Sequence, residues 1–305
     1  MALMPDESGG WLLYETPCEI IEAREVGDVA HALAAVEKVV EEQGLHAVGF
    51  IAYEAAKAFD PAFQVHDTTG SSLPLLWFGL FRQSDIRHLD SSALTPVSAG
   101  AGTSAWTPSI RQDEYLGNIS KIRDYLEQGE TYQVNYTYRL RADFTEDPIN
   151  FFLSAYAFQP SVFSMLVNTR HWSVLSFSPE LFFHLNGSHL TMRPMKGTRP
   201  RRLASAEDEA LRMDLATSEK DRAENVMIVD MVRNDLGRIA RVGSVEATRL
   251  FDIESYPTVF QMTSTVEAEV DSSVTEIFQS LFPCASITGA PKINTMRIIR
   301  ELEPD

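Results

Sequence analysis

The chain has 305 residues and carries 43 acidic against 26 basic side chains, a formal charge of −17. That balance argues against a nucleic-acid binder, which needs a basic footprint to displace counterions, and against a protein of anionic membrane surfaces. Hydrophobic residues at 44% and charged residues at 23% fit a folded globular chain, and no apolar run nears the roughly 18 residues of a spanning helix.

Met1 to Asp6 lacks the basic and apolar regions of a signal peptide. The two cysteines, Cys18 and Cys284, form neither a C-x-x-C pair nor a metal spacing, so a reduced, cytoplasmic setting is expected. Val29, Leu33, Val36, Val39 and Val40 recur at helical spacing and predict a helix that stops near Gly44. Ala47–Tyr53 and Leu75–Phe81 read as buried strands. Residues 91–112 are rich in Ser, Ala, Gly, Thr and Pro and nearly uncharged, and read as a surface connection between an N-terminal segment, 1–90, and a larger region, 113–305.

In that larger region Tyr115, Ile119, Ile122 and Leu126 form one helical stripe, with Gly129 as the stop. Tyr132 to Leu140 alternates strictly and predicts a strand, with Gln133, Asn135, Thr137 and Arg139 on a polar face that suits solvent or a polar pocket. Ser173 to Leu185 reads as another strand, turning at Asn186-Gly187 and returning towards Lys196. This hairpin brings Glu180 near Lys196. A two-residue turn puts them on opposite faces, whereas a three-residue loop that includes Ser188 puts them on the same face. From Ser218 the pattern is helical, with Ser218 and Asp221 as a cap signature. Glu224 shares a stripe with Ile228, Met231 and Asp235, and reads either as a carboxylate favoured by the helix dipole or as a ligand.

The sequence holds no G-x-S-x-G elbow, H-E-x-x-H, P-loop or strand-following G-x-G-x-x-G. What stands out is Lys196 in Arg193-Pro194-Met195-Lys196-Gly197-Thr198-Arg199. A lysine that leaves a strand beside glycine can be buried, lose its proton and act as a nucleophile, or it can sit in a solvated basic turn. The neighbouring arginines would offset an anionic substrate. Ser286-Ile287-Thr288-Gly289-Ala290-Pro291-Lys292 enters a helix and presents backbone N–H groups that suit an anion, or is a plain helix start.

Taken together, SFSPE (176–180), RPMKGTRPR (193–201), SEKDRAENVMIVDMVRNDLGRI (218–239) and SITGAPK (286–292) resemble the chorismate-utilising enzymes. These include anthranilate synthase component I, aminodeoxychorismate synthase component I, and the isochorismate and salicylate synthases. GFIAYEAAKAFDPAF (49–63) resembles the short aminodeoxychorismate synthases. The resemblance implies an α+β fold, an αββα sandwich of two large antiparallel sheets with outer helices and a cleft between the sheets. It points to the aminodeoxychorismate synthase branch, which carries Lys at the position of Lys196 where anthranilate synthases carry Ala. Isochorismate-type enzymes carry a water-activating Lys at the position of Gln133.

The resemblance further implies Lys196 as nucleophile and Glu180 as general acid. It assigns Gln133, Asn135, Thr198, Gln261, Thr265, Thr288, Gly289 and Ala290 to substrate binding, and Glu224 to a Mg²⁺ ion. It implies chorismate as substrate, a glutamine amidotransferase as ammonia source, and a separate or fused aminodeoxychorismate lyase. Two departures accompany it. The family often has His where this chain has Gln261, and Gln cannot shuttle protons, which disfavours pyruvate elimination. Family members also continue with further strands, an Arg and a second Mg²⁺ glutamate absent here, so the core is expected to be incomplete at its C-terminus. The alternatives are anthranilate synthase component I and a non-catalytic fragment that binds chorismate or an amidotransferase.

Overall fold

The structure is a computed structural model, and it describes residues 1–6, 8–68, 70–94 and 105–304. Seven α-helices are present among the described residues: α1 (Val26–Gln43), α2 (Gln112–Glu127), α3 (Pro148–Phe158), α4 (Ser205–Thr217), α5 (Glu219–Gly237), α6 (Val274–Leu281) and α7 (Lys292–Leu302). None is long and apolar enough to cross a membrane. The chain divides into two compact units. Unit 1 comprises Met1–Ser154, Met165–Leu175 and Ile287–Asp305, and unit 2 comprises Ala155–Ser164 and Ser176–Ser286.

Unit 1 holds a five-stranded sheet in the order Ser173–Ser176, Met165–Asn168, Ala2–Pro5, Trp11–Tyr14, Ile86–Leu89. It also holds a three-stranded antiparallel sheet with Leu76–Phe81 between Glu19–Ala23 and His46–Ile51. The two predicted strands fall in the second sheet, and Tyr53 instead opens a short 3₁₀ turn, Tyr53–Ala58. The predicted helix is α1, which buries Val29, Leu33 and Val36 and ends at Gly44. Of the expected connection 91–112, residues 95–104 lie outside the described residues, and Thr107–Pro108 pairs with Leu140–Arg141.

The strand expected over 132–140 is corrected. Only Gln133–Val134 and Leu140–Arg141 are strand there. The intervening backbone finds its partners elsewhere: the Thr137 N–H donates to the Glu303 carboxylate at 2.7 Å rather than to a neighbouring strand. The alternating pattern instead packs the partly buried Val134 and Tyr136 against Ile122 of α2 and Ile298 and Leu302 of α7. A side-chain carboxylate and two helices thus satisfy a segment that periodicity assigns to a ladder.

The long strand expected over 173–185 also divides. Ser173–Ser176 belongs to the sheet of unit 1, while Leu181–Asn186 belongs to unit 2. Pro179 lies in the break and cannot donate to a ladder. The hairpin turns on Gly187-Ser188, one residue later than expected, with Asn186 opposite His189. Gly187 has φ of +61°, as a two-residue hairpin with glycine first requires. A register shift between Leu181 and His184 then re-aims the strand before Glu180.

The sheet of unit 2 is antiparallel and built around Val259–Glu269, which pairs with His189–Arg193, Met195–Pro200 and Glu246–Ser255. Its even-numbered residues face the helices. Phe260 and Met262 pack with Leu215 of α4, and Val266 and Ala268 pack with Ile228, Val229, Val232 and Leu236 of α5. Each such side chain withdrawn from water stabilises the unit by about 1.5–3 kcal/mol before entropy is counted. Buried Asn225 fixes the register of helix on sheet: it donates to Met262 O at 3.5 Å and accepts from the Ser264 hydroxyl. The Ser218 cap forms as expected, its hydroxyl accepting from Asp221 N at 3.3 Å. Helices segregated from antiparallel sheets give the expected α+β class.

Candidate functional site

The Lys196 strand is bulged. Met195 lies opposite Thr263 and Thr198 opposite Gln261, so Lys196 and Gly197 carry an extra residue relative to their partner. Bulges of this kind re-aim a side chain. The cause lies in Gly197, whose φ of +101° is disfavoured for other residues. A Cβ there would meet Asp221 Cβ and Leu215 Cδ1 at 3.1 Å, so α4 and α5 press directly on the glycine.

The re-aimed Lys196 amine donates to Ser286 O at 2.8 Å. It is partly buried, not the solvated turn of the alternative reading. Burial pushes its pKa down, and the field of Glu180, then Glu224, then Cys284 partly opposes this. Burial pushes the Glu180 carboxyl up, against the Ser286 side chain, the Lys196 charge and the Met195 N–H, all of which favour the charged form. Glu180 Oε1 is buried and has no hydrogen-bond partner. An unmatched buried carboxyl oxygen beside an amine of depressed pKa marks a functional site. The two groups are tuned in opposite directions: the lysine towards its neutral amine and the glutamate towards its neutral acid.

Thr198 and Gln261 are cross-strand partners, and the Thr198 hydroxyl donates to Gln261 Oε1 at 2.9 Å. Thr265 lies further along the strand on the face of Gln261, opposite Arg249. Glu224 lies on α5, with Lys220 at 3.7 Å and a side chain 43% exposed. The resemblance implies a Mg²⁺ ion at Glu224. Among the described residues no three or more His, Cys, Asp or Glu side chains cluster as a metal site. A lone, accessible carboxylate fits Mg²⁺ as one donor, because that ion keeps several waters and takes one or two carboxylates with the substrate.

The arginines around Lys196 do not meet the expectation that they offset an anionic substrate. Arg193 pairs with Glu254, Arg199 with Asp214 at 2.6 Å and Asp221 at 2.9 Å, and Arg201 with Asp208 at 2.8 Å. Carboxylates of the same unit already balance them.

In unit 1, Gly289–Ala290 pairs with Gln133–Val134. Asn135 N donates to Thr288 O at 2.8 Å, and Tyr132 N donates to Ala290 O at 2.7 Å. Thr288, Gly289 and Ala290 are all buried, and a Cβ on Gly289 would sit 2.0 Å from Gln133 O. The glycine therefore serves close backbone approach. Gln133 Oε1 is buried without a partner, while its amide nitrogen reaches Asn135 Oδ1 at 3.5 Å.

Sequence reasoning missed Ser286. Its carbonyl holds Lys196, its side chain faces Glu180, and its hydroxyl lies 3.1 Å from Cys284 Sγ. Its place in SITGAPK is plain in the sequence, but the residue types there point to the anion-suited turn that follows.

The chain is 42% identical over 225 residues to aminodeoxychorismate synthase component 1 of Klebsiella aerogenes, covering 73% of this chain and 50% of that protein. It is 38% identical over 218 residues to aminodeoxychorismate synthase component 1 of Escherichia coli K12, covering 71% and 48%. Anthranilate synthase component 1 of Synechocystis is 36% identical over 207 residues, covering 66% and 41%. The chain thus spans about half the length of these relatives. In fold it is similar to anthranilate synthase component I from Streptococcus pneumoniae, with a TM-score of 0.79 and 21% identity over 96% of this chain and 77% of that one. It is also similar to MenF, the menaquinone-specific isochorismate synthase of Escherichia coli, with a TM-score of 0.70 and 14% identity over 100% and 73%. A sequence profile of chorismate binding enzymes matches residues 6–305, and the chain belongs to that family.

Proposed function

We propose that the protein takes part in the amination of chorismate at C4 to 4-amino-4-deoxychorismate, the reaction that leads to 4-aminobenzoate. The observation that carries this reading is the bulge that turns Lys196 onto Ser286 O beside Glu180. The similarity to aminodeoxychorismate synthase component 1 supports it.

The neutral Lys196 amine attacks C2 of chorismate. The ring double bond shifts, the C4–O bond breaks, and Glu180 gives its proton to the departing hydroxyl, which leaves as water. Ammonia then attacks C4, the C2–N bond breaks, and Lys196 leaves as the amine. The new C4 ammonium returns a proton to Glu180. A carboxyl of raised pKa and an amine of lowered pKa suit these two roles near neutral pH.

Glu224 would hold a Mg²⁺ ion, which when bound supplies positive charge against the substrate carboxylate. Thr198, Gln261 and Thr265 offer polar groups on one sheet face in unit 2. The resemblance also assigns Gln133, Asn135, Thr288, Gly289 and Ala290 to substrate binding, and the unpaired Gln133 Oε1 supports its share. Ammonia would come from a glutamine amidotransferase partner, and an aminodeoxychorismate lyase would consume the product.

The test supplies the complete gene product with chorismate, Mg²⁺ and ammonium and identifies products by mass spectrometry, with and without Lys196→Ala. Aminodeoxychorismate that disappears in the variant supports the reading. Anthranilate or isochorismate as product overturns it, and no turnover assigns the protein to binding alone.

A further inference from the structure

Glu180 lies outside any strand, at the end of the stretch 177–180 that precedes Leu181–Asn186. A general acid must present its proton to one atom, so main chain without a ladder needs other supports. Side-chain hydroxyls of unit 2 supply them. The Ser161 hydroxyl donates to Ser178 O at 2.5 Å. The Ser178 hydroxyl accepts from Glu180 N at 3.2 Å and donates to Glu180 O at 3.3 Å. The Tyr256 hydroxyl donates to Pro179 O at 3.3 Å.

Tyr256 is itself held. It shares its one phenol proton with Glu254 Oε2 at 2.9 Å. Glu254 Oε1 accepts from the Thr263 hydroxyl at 2.9 Å and from the Arg193 guanidinium. Arg193 lies opposite Leu181 in the hairpin ladder. These interactions close a ring. Leu181 meets Arg193 through the ladder, Arg193 meets Glu254 as an ion pair, Glu254 meets Tyr256, and Tyr256 returns to Pro179. Glu180 is the one residue between the two ends of that ring.

The links are strong ones. Glu254 is ionised in its pair with Arg193, and hydrogen bonds to a charged group outdo neutral ones. Burial pushes the Tyr256 phenol up, with Arg193 opposing, so its proton is in place near neutral pH. The ring also gives Arg193 a task in place of the anionic substrate expected for it.

We propose that Tyr256 is a positioning residue for Glu180, aimed in turn by the Arg193–Glu254 pair. The proposal rests on the reading of Glu180 as the acid of chorismate amination. The ladder fixes the main chain after Glu180, and the phenol fixes it before. A displacement of about 1 Å at a reacting group can cost about 10²-fold in rate, so a support of this kind belongs to the chemistry although it acts through main chain.

The experiment compares Tyr256→Phe and Arg193→Gln with the parent in chorismate amination, and repeats Tyr256→Phe on a Glu180→Gln background. Tyr256→Phe should lower kcat about tenfold or more, with KM within about twofold of the parent. On the Glu180→Gln background the same change should alter the residual rate by less than about twofold, because no acid is left to position. Arg193→Gln should also act on kcat. An equal loss in both backgrounds overturns the proposal, and so does an effect of Tyr256→Phe on KM alone. Arg193→Gln that raises KM alone would return this arginine to the substrate and overturn its place in the ring.

A second readout needs no turnover. Competitive acetylation across pH gives the midpoint of Lys196, which the Glu180 carboxylate raises. Tyr256→Phe should lower that midpoint by part of the shift that Glu180→Gln gives, because a loosened carboxylate supports the ammonium less. A parent that does not aminate chorismate refutes the amination assignment, and the Lys196 midpoint then decides the positioning alone. A midpoint in Tyr256→Phe equal to that of the parent overturns it.

Discussion

Two short glycine-bearing motifs, one in each unit, use glycine for different ends. In Lys196-Gly197-Thr198 the glycine has φ of +101° and its missing Cβ leaves room for the side chains of Asp221 and Leu215 at 3.1 Å. In Thr288-Gly289-Ala290 the glycine has φ of +148° and its missing Cβ leaves room for the backbone carbonyl of Gln133 at 2.0 Å. The first motif bends a strand so that an amine leaves the ladder and meets Ser286 O and Glu180. The second joins two chain segments by main-chain hydrogen bonds through Thr288 O and Ala290 O. One glycine serves the aim of a neighbouring reactive group and the other serves architecture, so damage to the two motifs should appear in different measurements.

The largest expected effect separates them by activity. Lys196→Ala should lower chorismate amination by about 10³-fold or more, as removal of a nucleophile does. Its melting temperature should stay near that of the parent, because Lys196 contributes a partly buried amine rather than packing. Steady-state product formation and calorimetry on the same preparation check both halves. Activity within tenfold of the parent would break the assignment of chemistry to this motif.

The reverse pattern is expected at Gly289. Gly289→Ala places a methyl 2.0 Å from Gln133 O and 2.6 Å from Thr295 Cγ2, and backbone must move to admit it. A cost of about 3 kcal/mol follows, and a melting point lower by roughly 5–10 °C. Gly197→Ala meets side chains at 3.1 Å, which give more readily than backbone, so its cost should be about 1–2 kcal/mol, chiefly from the positive φ. Thermal unfolding of the two variants side by side tests the order. Gly197→Ala as the more damaging change would invert the contrast.

Much of this contrast was legible in the sequence, and the limits have physical causes. The helices from Val26, Gln112 and Glu219 follow from apolar spacing and, at Ser218, from a capping hydroxyl. Proximity of Glu180 to Lys196 follows from the hairpin. The means by which they meet does not, because it depends on two register shifts, at Leu181/His184 and Met195/Thr198. Such bulges depend on which helix presses on the strand, a fact of tertiary packing that local periodicity does not encode. The same holds for 132–140, where the Glu303 carboxylate, 166 residues from Thr137, takes the place of a neighbouring strand. The pairing of Arg193, Arg199 and Arg201 is not legible at all, because a sequence shows a cation but not the carboxylate that folds against it.

A smaller effect sharpens the electrostatic half of the comparison without relying on turnover. The Glu180 carboxylate favours the Lys196 ammonium, so Glu180→Gln removes an anion and should lower the Lys196 pKa further. Competitive acetylation across pH, read at Lys196 by mass spectrometry, should show its midpoint move to lower pH in the variant. In the amination assay the parent should lose activity at low pH, as Lys196 protonates, and at high pH, as Glu180 ionises. Glu180→Gln should remove the loss at high pH along with most of the rate. An unmoved Lys196 midpoint would mean that the two groups do not sense each other.

The smallest expected effect concerns Thr198, which follows the bulge. Its hydroxyl donates to Gln261 Oε1 at 2.9 Å on an exposed part of the sheet, so Thr198→Val should cost about 1 kcal/mol or less in stability. Valine keeps the branched shape that suits a strand, so the change isolates the hydroxyl. The Thr198 bond also fixes the Gln261 amide, and its loss frees the amide to rotate. If Gln261 orients substrate, KM should rise several-fold while kcat changes little, because an interaction made equally in the ground and transition states has been weakened. A fall in kcat with KM unchanged would instead place the Thr198–Gln261 pair among the groups that act on the reacting atoms, and would extend the chemical motif past the bulge to the strand opposite.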